Sequence, residues 1–317
     1  MVKVLVRNYS VHGMPADQYA TALRERLPGH EVVLARTPAL EREHVTDATV
    51  VAGGSISTEL LDSADSLRLF AASSAGYDHL PLSELADRGV AVTTASGVHG
   101  PNIAEYVLGA WLSFTREFFT ARRRQEAHAW HSFRASEFAG SRVCVVGMGA
   151  IGEAILDRLA GFGVETVGVR HSPEKGGPTD EVYGYDEIHE AVADARYVAI
   201  ACPLTDVTRG LFDADVLGTM HPEAALVNVA RGPVVETDAL VEALRRNHLG
   251  AAALDVTDPE PLPSDHPLWD FENVLVTPHN AGHTPKYYER LADIVAENVR
   301  RGAESGEWSG LRNQIEP

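Results

Sequence analysis

The stretch Arg142-Val143-Cys144-Val145-Val146-Gly147-Met148-Gly149-Ala150-Ile151-Gly152 carries a short β-branched run through three glycines directly into the helix-patterned Glu153-Ala154-Ile155-Leu156-Asp157-Arg158-Leu159. No other feature of the chain restricts its fold as much. A strand feeding a G-x-G-x-x-G turn lets the backbone approach a pyrophosphate, whose charge then meets unpaired amides and the positive end of a helix. A glycine turn by itself also suits a plain helix entry, but here a second strand pattern follows at Glu165 to Val169. Strand, turn, helix and strand together read as a dinucleotide site, with Gly147, Met148, Gly149, Ala150, Ile151 and Gly152 as candidate cofactor contacts.

At 317 residues the chain is long enough for about two domains, each burying its own core. The first hundred residues alternate short apolar runs (Val2–Val6, Val32–Ala35, Val50–Ala52, Leu69–Ala72, Val90–Thr93) with helical patterns, the signature of a parallel sheet covered by helices. From Ile103 to about His128 one long helical pattern, without proline, leads into the glycine-turn strand and reads as an inter-domain helix. Beyond the fingerprint, strand candidates at Tyr197–Ala201, Ala225–Val229, Ala251–Asp255 and Val274–Thr277 build a second doubly wound unit. The Pro173–Thr179 segment is a surface loop, and a final helix from Lys286 to about Arg301 packs back on the first domain.

Acidic residues number 45 against 27 basic ones, a net charge of −18, and Lys3, Lys175 and Lys286 are the only lysines. Nucleic acid is thereby disfavoured as a partner. Screening by salt would relieve the self-repulsion of such a chain, which points to a halophilic cytosol; an arginine-rich, GC-rich coding bias is the alternative. No apolar run reaches membrane-spanning length, and Met1-Val2-Lys3-Val4-Leu5-Val6-Arg7 reads as a first strand rather than a signal peptide, so the protein is expected in the cytoplasm. Cys144 and Cys202 lie in apolar runs with neither metal-ligand nor disulfide spacing, which reads as buried packing with no metal.

Three reactive side chains fall just past late strand patterns, where ligands of open α/β sheets bind. Arg231 follows Asn228-Val229-Ala230, Glu260 lies in Asp258-Pro259-Glu260-Pro261-Leu262, and His279 follows Thr277-Pro278. Reduction of a 2-keto acid builds negative charge on the carbonyl oxygen, so it needs a proton donor there and a fixed cation for the carboxylate. Histidine can donate, arginine clamps in a planar fork, and a carboxylate beside the histidine favours the imidazolium and orients the ring. Each has a blander reading: a helix cap for Arg231, a solvated loop acid for Glu260, a satisfied strand-end histidine for His279. His99, His128 and His131 read as surface or structural residues, although His99 stands at the domain crossover.

These segments, together with Ser74-Ala75-Gly76-Tyr77-Asp78-His79-Leu80 and Cys202-Pro203-Leu204-Thr205, resemble the D-isomer-specific 2-hydroxyacid dehydrogenases over nearly the whole chain. The resemblance implies a Rossmann dinucleotide-binding domain, residues 99–283, inserted in a flavodoxin-like substrate domain made of residues 1–98 and 284–317, with catalysis in the cleft between them. It implies that Arg231 binds and polarises the keto acid, that His279 is the general acid/base with Glu260 as its partner, and that the Ala75 and Gly76 amides hold the substrate carboxylate. Cofactor contacts from Cys202, Pro203, Thr208, Val229, Ala230 and Ala281, and a nicotinamide carboxamide contact from Asp255, follow from the same likeness. So does a homodimer, which the long crossover helix also favours. Formate dehydrogenases resemble the chain too but carry glutamine where Glu260 stands, and a long-form phosphoglycerate dehydrogenase is disfavoured because no regulatory extension follows residue 317. A dinucleotide-sensing co-repressor of the same fold is the rival reading.

Cofactor choice departs from the commoner pattern. An acid for the ribose 2′-hydroxyl is expected about 20 residues past the fingerprint. Arg170, 18 residues after Gly152, stands there instead, followed by His171 and Ser172. That trio suits a 2′-phosphate and hence NADP; if Arg170 merely stacks on adenine, NAD serves as well.

Overall fold

The computed structural model describes residues 1–77 and 79–315, so Asp78 of the Ser74–Leu80 motif lies outside the described residues. Thirteen strands run through it: β1 Lys3–Arg7, β2 Glu31–Ala35, β3 Val50–Gly53, β4 Leu69–Ala72, β5 Ala91–Thr93, β6 Arg142–Val146, β7 Glu165–Val169, β8 Glu181–Tyr183, β9 Tyr197–Ile200, β10 Ala225–Asn228, β11 Ala251–Leu254, β12 Val274–Val276 and β13 Gln314–Ile315. They form two sheets in two compact units, Met1–His99 with His283–Pro317, and Gly100–Gly282.

The first unit orders its strands β13-β5-β4-β3-β1-β2. Read from the far edge, the parallel strands run 2-1-3-4-5, the flavodoxin-like order. Val4, Leu5 and Val6 of β1 are all fully buried, as a central strand covered on both faces requires. Val4 and Val6 belong to the core closed by the helices Ala16–Arg26 (Tyr19, Leu23) and Tyr287–Ser305 (Leu291, Val295, Val299). Leu5 points the other way, into a core with Phe70, Leu60 and Leu85. β13 adds an antiparallel edge, pairing Gln314 with Thr93, that hydrophobic periodicity does not announce.

The second unit orders its strands β12-β11-β10-β9-β6-β7-β8, all parallel. This is the 3-2-1-4-5-6 order of a Rossmann sheet extended by one strand. The order reverses at β6, with β7 on one side and β9 on the other, and that switch point is where the glycine turn leaves the sheet. The helical run from Ile103 to His128 is not continuous. Instead the helix Gly100–Thr115 ends and a second, Phe118–Glu126, begins after Glu117 takes a left-handed φ of 57°. The β-branched Thr115 turns its hydroxyl back onto the Trp111 carbonyl and onto the Tyr197 hydroxyl, a side-chain competition that weakens the helical turn. Cys144 and Cys202 are buried, and burial pushes both thiols up to about 12. Among the described residues no helix is long and apolar enough to cross a membrane.

Candidate active site

The fingerprint turn has the geometry that its glycines suggest. Gly147 adopts a φ of 102°, and a side chain there would put its Cβ 2.4 Å from the Cys202 nitrogen. The exits of β6 and β9 thus touch backbone to backbone, which only glycine permits. A Cβ on Gly152 would lie 1.9 Å from the Gly147 carbonyl oxygen, so the helix Ala150–Leu159 starts hard against the turn. Gly149 caps that helix with no side-chain bond, and a Cβ built on it meets no protein atom within 4 Å. Gly149 and Ala150 are exposed and the first turn of the helix has no side-chain cap, a glycine-lined cradle that fits a pyrophosphate. Met148 is buried, and its sulfur fills the room left by Gly168 and Gly177.

At the end of β7, Arg170 is half-buried and its Nη1 donates to the Gly176 carbonyl at 2.7 Å. His171 is exposed and Ser172 half-buried, and the Ser172 hydroxyl does not cap the short turn Pro173–Lys175 that follows. Cys202 is buried beside Gly147, and Pro203 is exposed. Thr208 is fully buried, and its hydroxyl accepts from the Thr205 amide at 2.8 Å and donates to the Pro203 carbonyl at 2.6 Å. In this structure it shapes the loop that presents Pro203.

Arg231, Glu260 and His279 follow β10, β11 and β12, which are side by side and in register through Asn228, Leu254 and Val276. Parallel order puts all three past one edge of the sheet, across two strand spacings of about 10 Å. His279 Nδ1 lies 2.7 Å from Glu260 Oε1, with the two side chains 52% and 44% exposed. The carboxylate accepts the Nδ1 proton and leaves Nε2 as the working nitrogen. Arg231 is exposed, its Nη1 donates to the Ala230 carbonyl at 2.6 Å, and it forms no ion pair among the described residues. Asn228 fixes the turn before it, accepting from the Ala230 amide and donating to the Arg231 carbonyl. Gly232 then passes so close to the next loop that a Cβ would lie 2.0 Å from the Thr257 oxygen, which ties the Arg231 turn to the segment carrying Glu260.

Asp255 is buried, and its carboxylate already accepts three hydrogen bonds: from the Thr277 hydroxyl at 2.6 Å, the Asn280 amide at 2.7 Å and the Ala281 amide at 2.9 Å. Its backbone oxygen takes the His279 amide at 2.9 Å. This carboxylate holds the His279 loop. His279 itself has a left-handed φ of 52°, uncommon for a residue with a side chain and kept only where the surroundings enforce it. Val229, Ala230 and Ala281 are buried nearby on the same strand exits. Sequence reasoning assigned no individual role to Gly232, Tyr106 or Asn102; the last two lie four residues apart on one helix, and their partners distant in sequence reveal them.

In the first unit, Ala75 is exposed and Gly76 half-buried beyond β4, and neither amide donates to another group among the described residues. His79 Nε2 lies 2.9 Å from the Gly54 carbonyl. His99 packs its ring against Tyr287 and His12, which fits the structural reading given to it above. His128 and His131 are exposed.

The family model for the NAD binding domain of the D-isomer specific 2-hydroxyacid dehydrogenases matches residues 108–281. A glyoxylate reductase of Thermofilum pendens is 36% identical over 254 residues, 77% of this chain and 74% of that protein. A D-3-phosphoglycerate dehydrogenase of Methanocaldococcus jannaschii is 28% identical over 95% of this chain, which spans 57% of its length. Among solved structures, a D-isomer specific 2-hydroxyacid dehydrogenase from Xanthobacter autotrophicus in complex with NADPH and MES is 31% identical, with a TM-score of 0.81 over 100% of this chain and 99% of that one.

Proposed function

This chain belongs to the D-isomer specific 2-hydroxyacid dehydrogenase family, and from that premise we propose that it reduces a 2-keto acid to the D-2-hydroxy acid with a preference for NADPH. The observation that carries the chemistry is the 2.7 Å pair of His279 and Glu260 past the same sheet edge as Arg231. Bound at the glycine turn, the nicotinamide cofactor supplies the two electrons and the hydrogen that the carbonyl carbon gains. His279 gives a proton from Nε2 to the carbonyl oxygen, Glu260 stabilises the imidazolium before that transfer, and Arg231 binds the substrate and polarises its carbonyl. In the oxidative direction the same imidazole takes the hydroxyl proton. The Ala75 and Gly76 amides, which donate to no other group among the described residues, would hold the carboxylate, and Asp255, with three protein donors already on its oxygens, retains lone-pair room for a carboxamide. Cys202, Pro203, Val229, Ala230 and Ala281 would form the walls around the cofactor, with Thr208 reaching it only through the Pro203 loop that it holds.

Arg170, His171 and Ser172 would take the 2′-phosphate, a reading supported by the absence of an acid at the end of β7 and by the NADPH held in the Xanthobacter relative. A homodimer in a salty cytoplasm belongs to the same reading, supported by the fully exposed Trp130 and the net charge of −18. A panel of 2-keto acids, glyoxylate and hydroxypyruvate included, assayed with NADPH and NADH across salt concentrations tests it. Turnover of at least one acid is expected; none with either cofactor would reject the enzyme reading in favour of a dinucleotide sensor.

A further inference from the structure

We infer that Tyr106, on the helix Gly100–Thr115, is a positioning residue for His279 and acts through Thr277 and Asp255; the inference rests on the proposed role of His279 as proton donor. Tyr106 Oη lies 2.8 Å from Thr277 Oγ1, which lies 2.6 Å from Asp255 Oδ1. The direction of these bonds follows from counting protons. An ionised carboxylate only accepts, so the single Thr277 proton goes to Asp255, and Tyr106 must supply the proton between its own oxygen and Thr277. The result is a one-way chain, Tyr106 to Thr277 to Asp255, which fixes the Thr277 hydroxyl in one rotamer. Burial pushes the Tyr106 hydroxyl up to about 12, so it keeps its proton throughout the range in which the enzyme would work.

The other end of the loop is held from the same helix. Asn102 Nδ2 donates to the Ala281 carbonyl at 2.8 Å, while the Ala281 amide is bound to Asp255 Oδ2. Asn102 and Tyr106 are four residues apart and so share one helix face. That face grips residues 277 and 281, and His279 sits midway between them with its left-handed backbone. A conformation that costs strain persists only while its neighbours over-determine it, so removing one hydroxyl of the brace should disorder the imidazole before it disturbs the fold.

The test uses the full-length protein. Tyr106→Phe removes one oxygen and should lower kcat by about three- to tenfold, the size of one ordinary hydrogen bond, with KM for NADPH unchanged. Hydrogen exchange at the Asn280 and Ala281 amides should quicken in the same variant. Thr277→Val should lose at least as much, Thr277→Ser should restore the rate because it keeps the hydroxyl, and adding Tyr106→Phe to Thr277→Val should cost nothing more, since the partner is already gone. A Tyr106→Phe protein with wild-type kcat, with unchanged exchange at both amides, or with a change in KM alone overturns the inference, as does additivity in the double variant. A wild-type protein that reduces no 2-keto acid sinks the proposed function and with it the role of Tyr106 in positioning a proton donor. In that case the exchange measurement still reads whether Tyr106 braces the loop.

Discussion

Replacing Arg170 with aspartate should invert the cofactor preference. In the structure the guanidinium is half-buried at the end of β7 and, among the described residues, is held by one bond to the Gly176 carbonyl at 2.7 Å, which leaves its other N–H groups for a ligand. A charge-assisted bond to a 2′-phosphate contributes about 1.5 to 3 kcal/mol, and NADH lacks that phosphate. With about 1.4 kcal/mol per factor of ten, wild type should favour NADPH by roughly ten- to a hundredfold in kcat/KM. Arg170→Asp deletes this bond and places a carboxylate near up to two negative charges. In water such a contact costs about 1 kcal/mol per charge at about 4 Å, so NADPH loses roughly a further five- to thirtyfold. The introduced carboxylate can also accept a hydrogen bond from the 2′-hydroxyl of NADH, as the acid usually found at this strand end does. Arg170→Leu separates the two effects: the preference should vanish without reversing. Initial rates at one saturating 2-keto acid, with each cofactor varied, read all three proteins. The reasoning is refuted if wild type uses NADH as well as NADPH, or if Arg170→Asp leaves the ratio where it was; Arg170 would then serve only to pin the Gly176 loop or stack on adenine.

Other expectations concern the proton donor, the glycine cradle, the thiols and the surface charge. His279→Ala should lower kcat by about 10² to 10⁴ while cofactor binding survives, and Glu260→Gln, which keeps an acceptor but loses the charge, should cost less; near-normal turnover in His279→Ala would remove it from the mechanism. Gly149→Ala, whose new methyl meets no protein atom, should leave the thermal midpoint alone and weaken NADPH binding in a fluorescence titration. Gly152→Ala drives a methyl into the Gly147 carbonyl, which should cost about 1 to 3 kcal/mol of stability and lower the midpoint, so equal midpoints for the two variants would count against this account of the turn. Because both thiols are pushed up to about 12 by burial, the reactive thiolate becomes abundant only as pH rises toward that value. Iodoacetamide should therefore label the native protein at neutral pH no faster than it unfolds, and rapid labelling would show a thiol that is open. Finally, the thermal midpoint should climb as KCl shortens the Debye length from about 10 Å to about 3 Å, and a flat or falling midpoint would detach the −18 charge from any work in salt.

Much of the site was legible because it is local. The glycine spacing of Gly147, Gly149 and Gly152 carries its own geometry, since positive φ and close backbone approach are properties of single residues and their immediate turn. Arg231, Glu260 and His279 could be picked out because each follows a strand pattern by a few residues. The break at Glu117 escaped detection, since the Trp111, Leu112 and Phe118 periodicity runs straight through it and only the Thr115 contact with Tyr197 marks the stop. β8 and β13 are too short to show a period, and the second exists only by pairing with β5.

The sequence by itself determined two parallel-sheet units, a dinucleotide turn at Gly147–Gly152 and the set of reactive residues, because strand and helix periods and glycine turns are written in runs of adjacent residues. Tertiary structure decided which residues meet. The β10-β11-β12 order puts Arg231 past the same edge as the Glu260–His279 pair, Gly232 lets one loop lie against the next, and Asp255, Thr277, Tyr106 and Asn102 hold His279 in a conformation it would not choose alone. Such bonds join residues 19 to 179 positions apart, and their partners are set by strand pairing and helix packing across space, which no local pattern encodes.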